Sequence, residues 1–146
     1  MTRSNLSSSN VSLPFVPELD EPARRALQAE IAAAHELEVR FRDTASGGGA
    51  TPLLTVIPAG VFEMGSTEQE FGHRPSEGPV HYQQIAEPFA LGVYPVTAEE
   101  FAEFTRATDW RWRSDLITTQ GRHPVINIRH GEAEAYCEWL SEQTGQ

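Results

Sequence analysis

The sequence predicts a mixed fold of helices and short strands, and three stretches carry that prediction. Val96-Thr97-Ala98-Glu99-Glu100-Phe101 has the spacing of a reciprocally capped helix start. Glu132 to about Glu142 carries an apolar stripe at helical spacing. Between residues 52 and 94, short β-branched and aromatic runs alternate with Pro- and Gly-containing breaks, the grammar of strands and tight turns.

Taken in order, residues 1–17 are rich in Ser and Asn and close on Pro14 and Pro17, a composition that buries too little apolar area to offset ordering entropy. They read as a flexible tail. Asp20-Glu21-Pro22 is a helix-start signal, and Leu27, Ile31, Ala34, Leu37 and Phe41 recur at spacings of three and four. An amphipathic helix of roughly twenty residues is expected within 18–45. Glu36 and Arg40 fall at its stabilising i,i+4 spacing, and the bland role for such a helix is packing on a neighbouring domain or a second helix. Residues 46–51, with Gly47-Gly48-Gly49, read as a Gly-rich linker. The domain proper is expected over 52–146.

Within that domain, Leu53 to Ile57 and Val61 to Met64 flank Pro58-Ala59-Gly60, and a hairpin is the simplest expectation. Val80 to Ile85 and Phe89 to Tyr94 are two further extended candidates, and the polar stretch from Gly65 to Pro79 reads as a loop. Thr97 is placed to accept from the Glu100 amide while the Glu100 carboxylate reaches back to Thr97, with Val96 and Phe101 as the hydrophobic staple. The helix should therefore start at Ala98. In the last helix Ala133, Tyr136, Cys137 and Leu140 share a stripe, and Gly145 suits a left-handed C-terminal cap.

Composition narrows the function. The 146 residues allow one modest domain or part of a larger one, and 39% belong to the AVILMFWYC set, which rules out wholesale disorder. The formal charge of -10, with every basic residue an Arg, disfavours nucleic-acid binding and adhesion to an anionic membrane. Absence of Lys excludes Schiff-base and phosphate-loop chemistry. A single cysteine, Cys137, excludes an intrachain disulfide, a CxxC pair and a multi-cysteine zinc site. No long apolar run follows Met1, so a soluble, cytoplasmic protein is expected.

Candidate chemistry is sparse. His73, Glu77, His81, His123 and His130 form the candidate metal-ligand set, but Gly78 and Pro79 forbid a helical face between Glu77 and His81. On an extended segment those two could share one side. Surface or hydrogen-bonded histidines are the default expectation, and no metal ligand is assigned. Trp110-Arg111-Trp112-Arg113 interleaves rings and cations, which in so acidic a chain reads as core tryptophans beside solvent-facing arginines. Cys137 reads as a small hydrophobe on its stripe. No GxSxG elbow supports a serine nucleophile, and no catalytic or cofactor-binding residue is assigned.

Read together, the segments from Ile57 to Ser66, Glu77-Gly78-Pro79-Val80-His81, Pro88 to Gly92, Val96-Thr97, His123-Pro124-Val125 and Ala133 to Trp139 form an ordered series. The series resembles the sulfatase-modifying-factor family, the formylglycine-generating enzymes and their relatives, over residues 52–146. One departure is His130, where many relatives carry an aromatic residue. The resemblance implies an irregular α+β domain similar to C-type lectins, here incomplete and preceded by the amphipathic helix. It also implies a continuation beyond Gly145 into an arginine-leucine-proline-threonine-glutamate-type motif and a long second half.

The copper-binding cysteine pair of the oxidases in this family belongs to that second half, and Cys137 matches a packing position. Iron-dependent relatives take their metal ligands from a separate helical domain, whereas residues 18–45 offer only His35. No cofactor is thus expected in this chain, although full-length relatives use copper or iron. The expected function is that of a truncated family member, inactive by itself; the alternative is a non-catalytic ligand-binding or accessory module. Expected partners are a protein docked on the helix at 20–42 and a second copy through exposed apolar faces. The Ala133, Tyr136, Leu140 stripe is the surface expected to be left bare.

Overall fold

The computed structural model describes residues 13–110 and 119–146. They form two compact units, one comprising 13–35 with 57–89 and the other 36–56 with 90–110 and 119–146. Most of the tail expected over 1–17 lies outside the described residues, as do Arg111, Trp112 and Arg113.

In the first unit, α1 spans Glu21–Ala34, with the Asp20 side chain accepting from the Ala23 amide at 2.8 Å. This cap satisfies one of the amide donors that a helix start leaves without partners. The helix stops well short of the expected length. The His35 amide bonds back to the carbonyls of Ile31 and Ala32, Glu36 turns left-handed at φ 59°, and Leu37 and Phe41 fall outside the helix. Glu36 and Arg40 therefore share no helical turn, and the i,i+4 pair that forms is Glu21 with Arg25. Its inner side is Leu27, Gln28, Ile31 and Ala32, of which Ala32 is buried, while Ala34 faces solvent.

The helix ends because a longer-range partner competes for the residues beyond it. Strand β1 is Arg40–Phe41 and strand β2 is Leu54–Ile57; Arg40 pairs with Thr55 and Phe41 with Leu54. The Val56 amide and the Thr55 hydroxyl both donate to the Val39 carbonyl at 3.0 Å. A β-branched and aromatic run gains more from these bonds than from another helical turn.

The hairpin expected across Pro58-Ala59-Gly60 does not form. Strand β2 joins β1 and β5 (Phe89–Gly92) in the order β1-β2-β5, whereas β3 (Gly60–Met64) pairs antiparallel with β4 (His81–Ile85). Pro58-Ala59-Gly60 is a switch between sheets. Gly60 has a further reason to be glycine, since a Cβ there would stand 2.7 Å from Val16 Cγ2. The Val61 amide donates to the Pro14 carbonyl at 2.9 Å, and the Phe15 ring meets Tyr82 edge-on at 5.4 Å. Residues 13–16 are thus held against β3.

In the second unit, helix α2 spans Ala98–Thr108 with the capping box as expected. The Glu100 amide donates to Thr97 Oγ1 at 3.2 Å, and the Thr97 amide donates to Glu100 Oε2 at 2.9 Å. Helix α3 spans His130–Thr144 and ends on Gly145 at φ 73°. Phe101, Phe104 and Tyr136 are buried, with Val96, Val125, Ile128, Ala135, Trp139 and Leu140 packed around them. Ring centroids lie 5.2 Å apart for Phe101–Phe104 and 5.6 Å for Phe101–Tyr136, within the range where aromatic pairs attract.

This packing corrects the stripe read from α3. Tyr136 and Leu140 turn toward α2, Ala135 and Trp139 join them, and Ala133 and Cys137 are the residues left exposed. Aromatic area decides the rotation of the helix, because Trp139 and Tyr136 hide more surface than Ala133 and Cys137 together. The Gly-rich stretch is tied at both ends: Ser46 donates to the Gln143 carbonyl at 2.8 Å, and the buried Thr51 donates to the Asp43 carbonyl at 2.6 Å.

Candidate functional site

Strand pairing builds a polar side-chain cluster in the first unit. Register in β3–β4 sets Met64 opposite His81, which draws together the two ends of the loop over 65–80. Gly65 makes the entry turn at φ 110°, where a Cβ would stand 2.6 Å from the Glu77 carbonyl oxygen. Past it, the Ser66 amide donates to that carbonyl at 3.1 Å. Ser66 Oγ lies 2.6 Å from Glu77 Oε2 and 2.7 Å from His73 Nδ1.

A hydroxyl has one proton. It goes to the carboxylate, so the Ser66 oxygen is left to accept from a protonated His73 Nδ1. In a nucleophilic triad the imidazole stands between hydroxyl and carboxylate; here the hydroxyl stands between the other two. The arrangement is a clamp on the loop. Glu77 Oε2 also accepts from the Arg74 amide at 3.3 Å, which ties the short helical turn Pro75–Glu77 to the same oxygen.

Of the candidate metal ligands, the structure brings His73 and Glu77 together through Ser66. It separates Glu77 from His81, whose Nδ1 lies 3.0 Å from the Pro79 carbonyl oxygen. They do not share one side of an extended segment, because Glu77 ends a helical turn and His81 begins β4. His123 is exposed, and His130 Nδ1 lies 3.1 Å from Glu134 on the surface of α3. Among the described residues no three His, Cys, Asp or Glu side chains converge as a metal site. Copper(I) favours soft thiolate ligands, whereas imidazole serves copper as well. A copper site built on a pair of thiolates does not fit this donor set, since Cys137 is the sole thiol and lies exposed on α3.

The second unit carries a groove of about 630 Å³ beside α2, lined in part by Arg42, Leu53, Tyr94, Glu99, Glu103 and Arg122. One wall is held by backbone bonds. The Ala98 and Glu99 amides donate to the carbonyls of His123 and Gly121, and the Val125 amide donates to Val96. Together with the Thr97 box, these bonds satisfy the first amides of α2, so that helix start offers no vacant anion site. Much of the charge in the groove is engaged as well: Arg42 donates to the Thr51 carbonyl and Glu103 pairs with Arg106 at 2.6 Å. The Glu103 hydrogen bond and charge raise the Arg106 pKa. Burial, and then the nearby Glu100 carboxylate, push the Tyr136 phenol well above its ordinary value, so it stays neutral.

Residues 43–144 match the family described as "Sulfatase-modifying factor enzyme 1-like domain". The chain belongs to that family. Over 143 residues it is 34% identical to the inactive C-alpha-formylglycine-generating enzyme 2 of Bos taurus, covering 66% of this chain and 46% of that protein. It is 26% identical to the formylglycine-generating enzyme of Mycobacterium tuberculosis, covering 62% and 47%. PvdO from Pseudomonas aeruginosa superposes with a TM-score of 0.62 at 31% identity, over 73% of this chain and 44% of that one. The chain spans a little under half the length of these relatives, and its mixed helix-and-sheet fold is part of the family fold.

The family motifs now have structural roles. Gly65 and Glu77 close the loop, Thr97 caps α2, and His123-Pro124-Val125 is the strap along its first turn. Sequence reasoning missed the Ser66–His73–Glu77 clamp, although two of its members were singled out. The available signal was the spacing of Ser66 and Glu77 about two strands closing on each other.

Proposed function

We propose that this chain is the N-terminal portion of a formylglycine-generating-type domain, supplying scaffold and not redox residues, and that it is inactive by itself. The observation that carries this reading is the single exposed thiol in a chain that covers under half of each relative. Leu91, Tyr94 and Ile126 add to it: they are 54%, 64% and 41% exposed in the second unit, bare apolar surface that a continuing domain would cover. Copper or iron, and the oxidation of a sulfatase cysteine, belong on this reading to the full-length protein.

A second reading, a non-catalytic ligand-binding or accessory module, is favoured by the relative whose name marks it as inactive. On either reading the acidic balance points away from nucleic acid and anionic membranes, and α1 serves as a protein-contact helix in a cytoplasmic protein. Among the described residues no helix is long and apolar enough to cross a membrane.

The test compares the purified chain with the same chain extended by the reading frame after Gln146. The chain alone should bind a dye for exposed apolar surface, melt broadly and leave a cysteine-containing sulfatase peptide unconverted in mass spectrometry. Conversion by the chain alone, or a sharp melt with no dye signal, would overturn the proposal. Conversion by the extended protein favours the oxidase over the module.

A further inference from the structure

Phe71 is the most exposed large apolar side chain of the described residues, at 105% relative exposure. It sits at the tip of the loop over 65–80, next to Gly72 at φ 90°. The loop beneath it is tied down. Besides the Ser66–His73–Glu77 clamp, the Glu70 amide donates to the Thr67 carbonyl at 3.0 Å and the His73 amide to the Glu70 carbonyl at 3.1 Å. A bare ring on an ordered loop has its ordering cost already met, which is the condition under which an aromatic anchor binds well. Glu68 and Glu70 precede it and are exposed, and the exposed Arg74 follows it, so the loop around the ring is net acidic.

The complementary feature lies on the same unit. A cavity of about 240 Å³ opens beside α1, walled by Val16, Leu19, Leu27, Ile57 and Pro58. Arg24, Arg25 and Glu21, all exposed, stand on its lining, and Arg25 is paired with Glu21, so Arg24 carries the net positive charge of that edge. It offers an apolar floor with a basic edge to a ring with acidic neighbours.

We propose that the Phe71 loop of one copy docks into the α1 cavity of a second copy, with Glu68 and Glu70 meeting Arg24 and drawing Arg25 from its exposed pair with Glu21. The proposal rests on the reading of α1 as a protein-contact surface and names its occupant. Burying one phenyl ring removes roughly 150–250 Å² from water on its side, well below a standard interface, so the association is weak and concentration-dependent. The contact joins two different patches, so it closes only if each copy receives the other's loop; otherwise it extends head to tail.

The test is sedimentation velocity over a concentration series, with circular dichroism to verify that each variant folds as the wild type does. The wild-type weight-average mass should rise from monomer toward dimer and beyond. Phe71→Ala should hold it at monomer, and so should Glu68→Arg/Glu70→Arg and Arg24→Glu/Arg25→Glu, each measured alone. Mixing the two charge-reversed proteins should restore association, because every loop then meets an oppositely charged cavity. A wild-type chain that stays monomeric, association that survives Phe71→Ala, or a mixture that stays monomeric would each overturn the proposal. Association lost with the arginine variant but kept with Phe71→Ala would leave α1 as a contact surface and remove Phe71 as its occupant.

Discussion

In the second unit Phe101, Phe104 and Tyr136 are no more than 4% exposed and share ring contacts, whereas in the first unit Phe71, Tyr82, Met64 and Val80 are all exposed. The first unit buries Ala32 and the backbone of Gly60, and is held by the β3–β4 ladder and the polar clamp at its loop. Apolar burial therefore secures one region, and hydrogen-bonded backbone geometry the other. Equal truncations should have unequal costs in the two.

The largest effect is expected from Phe104→Ala, which should destabilise the second unit by about 3–5 kcal/mol in urea unfolding, since the cavity cannot refill from α3. Phe71→Ala removes the same ring and should stay within about 0.5 kcal/mol, because no packing is lost. Equal costs for the two would erase the contrast. Next, Gly65→Ala forces a Cβ against the Glu77 carbonyl at a positive φ, and should cost about 2–4 kcal/mol. Amide exchange should locate that loss in the β3–β4 ladder, leaving the aromatic cluster protected. Below Gly65→Ala but above Phe71→Ala comes Thr97→Ala, expected to cost about 1 kcal/mol through the loss of the hydroxyl acceptor for the Glu100 amide. Near-ultraviolet circular dichroism of the rings should be unchanged in that variant, with only the unfolding midpoint moved.

Elements specified by neighbours in sequence were legible without the structure. The start of α2 follows from Thr97 and Glu100 three residues apart, and the end of α3 from Gly145 in a left-handed cap. The strands over 54–57, 60–64, 81–85 and 89–92 lie within two residues of their expected ends, because their β-branched and aromatic runs are bounded by Pro and Gly. The length of α1 was not legible, since its periodic stripe ran on through Phe41 and gave no sign that Val39 to Phe41 would find β2. The candidate site was legible only in its parts. His73 and Glu77 stood out as ionisable groups, but their joint hold on Ser66 depends on the strand register that closes the loop.

What the amino-acid order determined by itself is the family and the local grammar: caps, turns, strand segments and the lone thiol. Tertiary structure decided which strands pair, which side of α3 turns inward, and that Cys137 stays in solvent while Tyr136 does not. The physical reason is range. A cap is satisfied by a group three residues away, but the choice between partners for a strand or a helix face is made by whichever distant surface buries more apolar area and completes more hydrogen bonds.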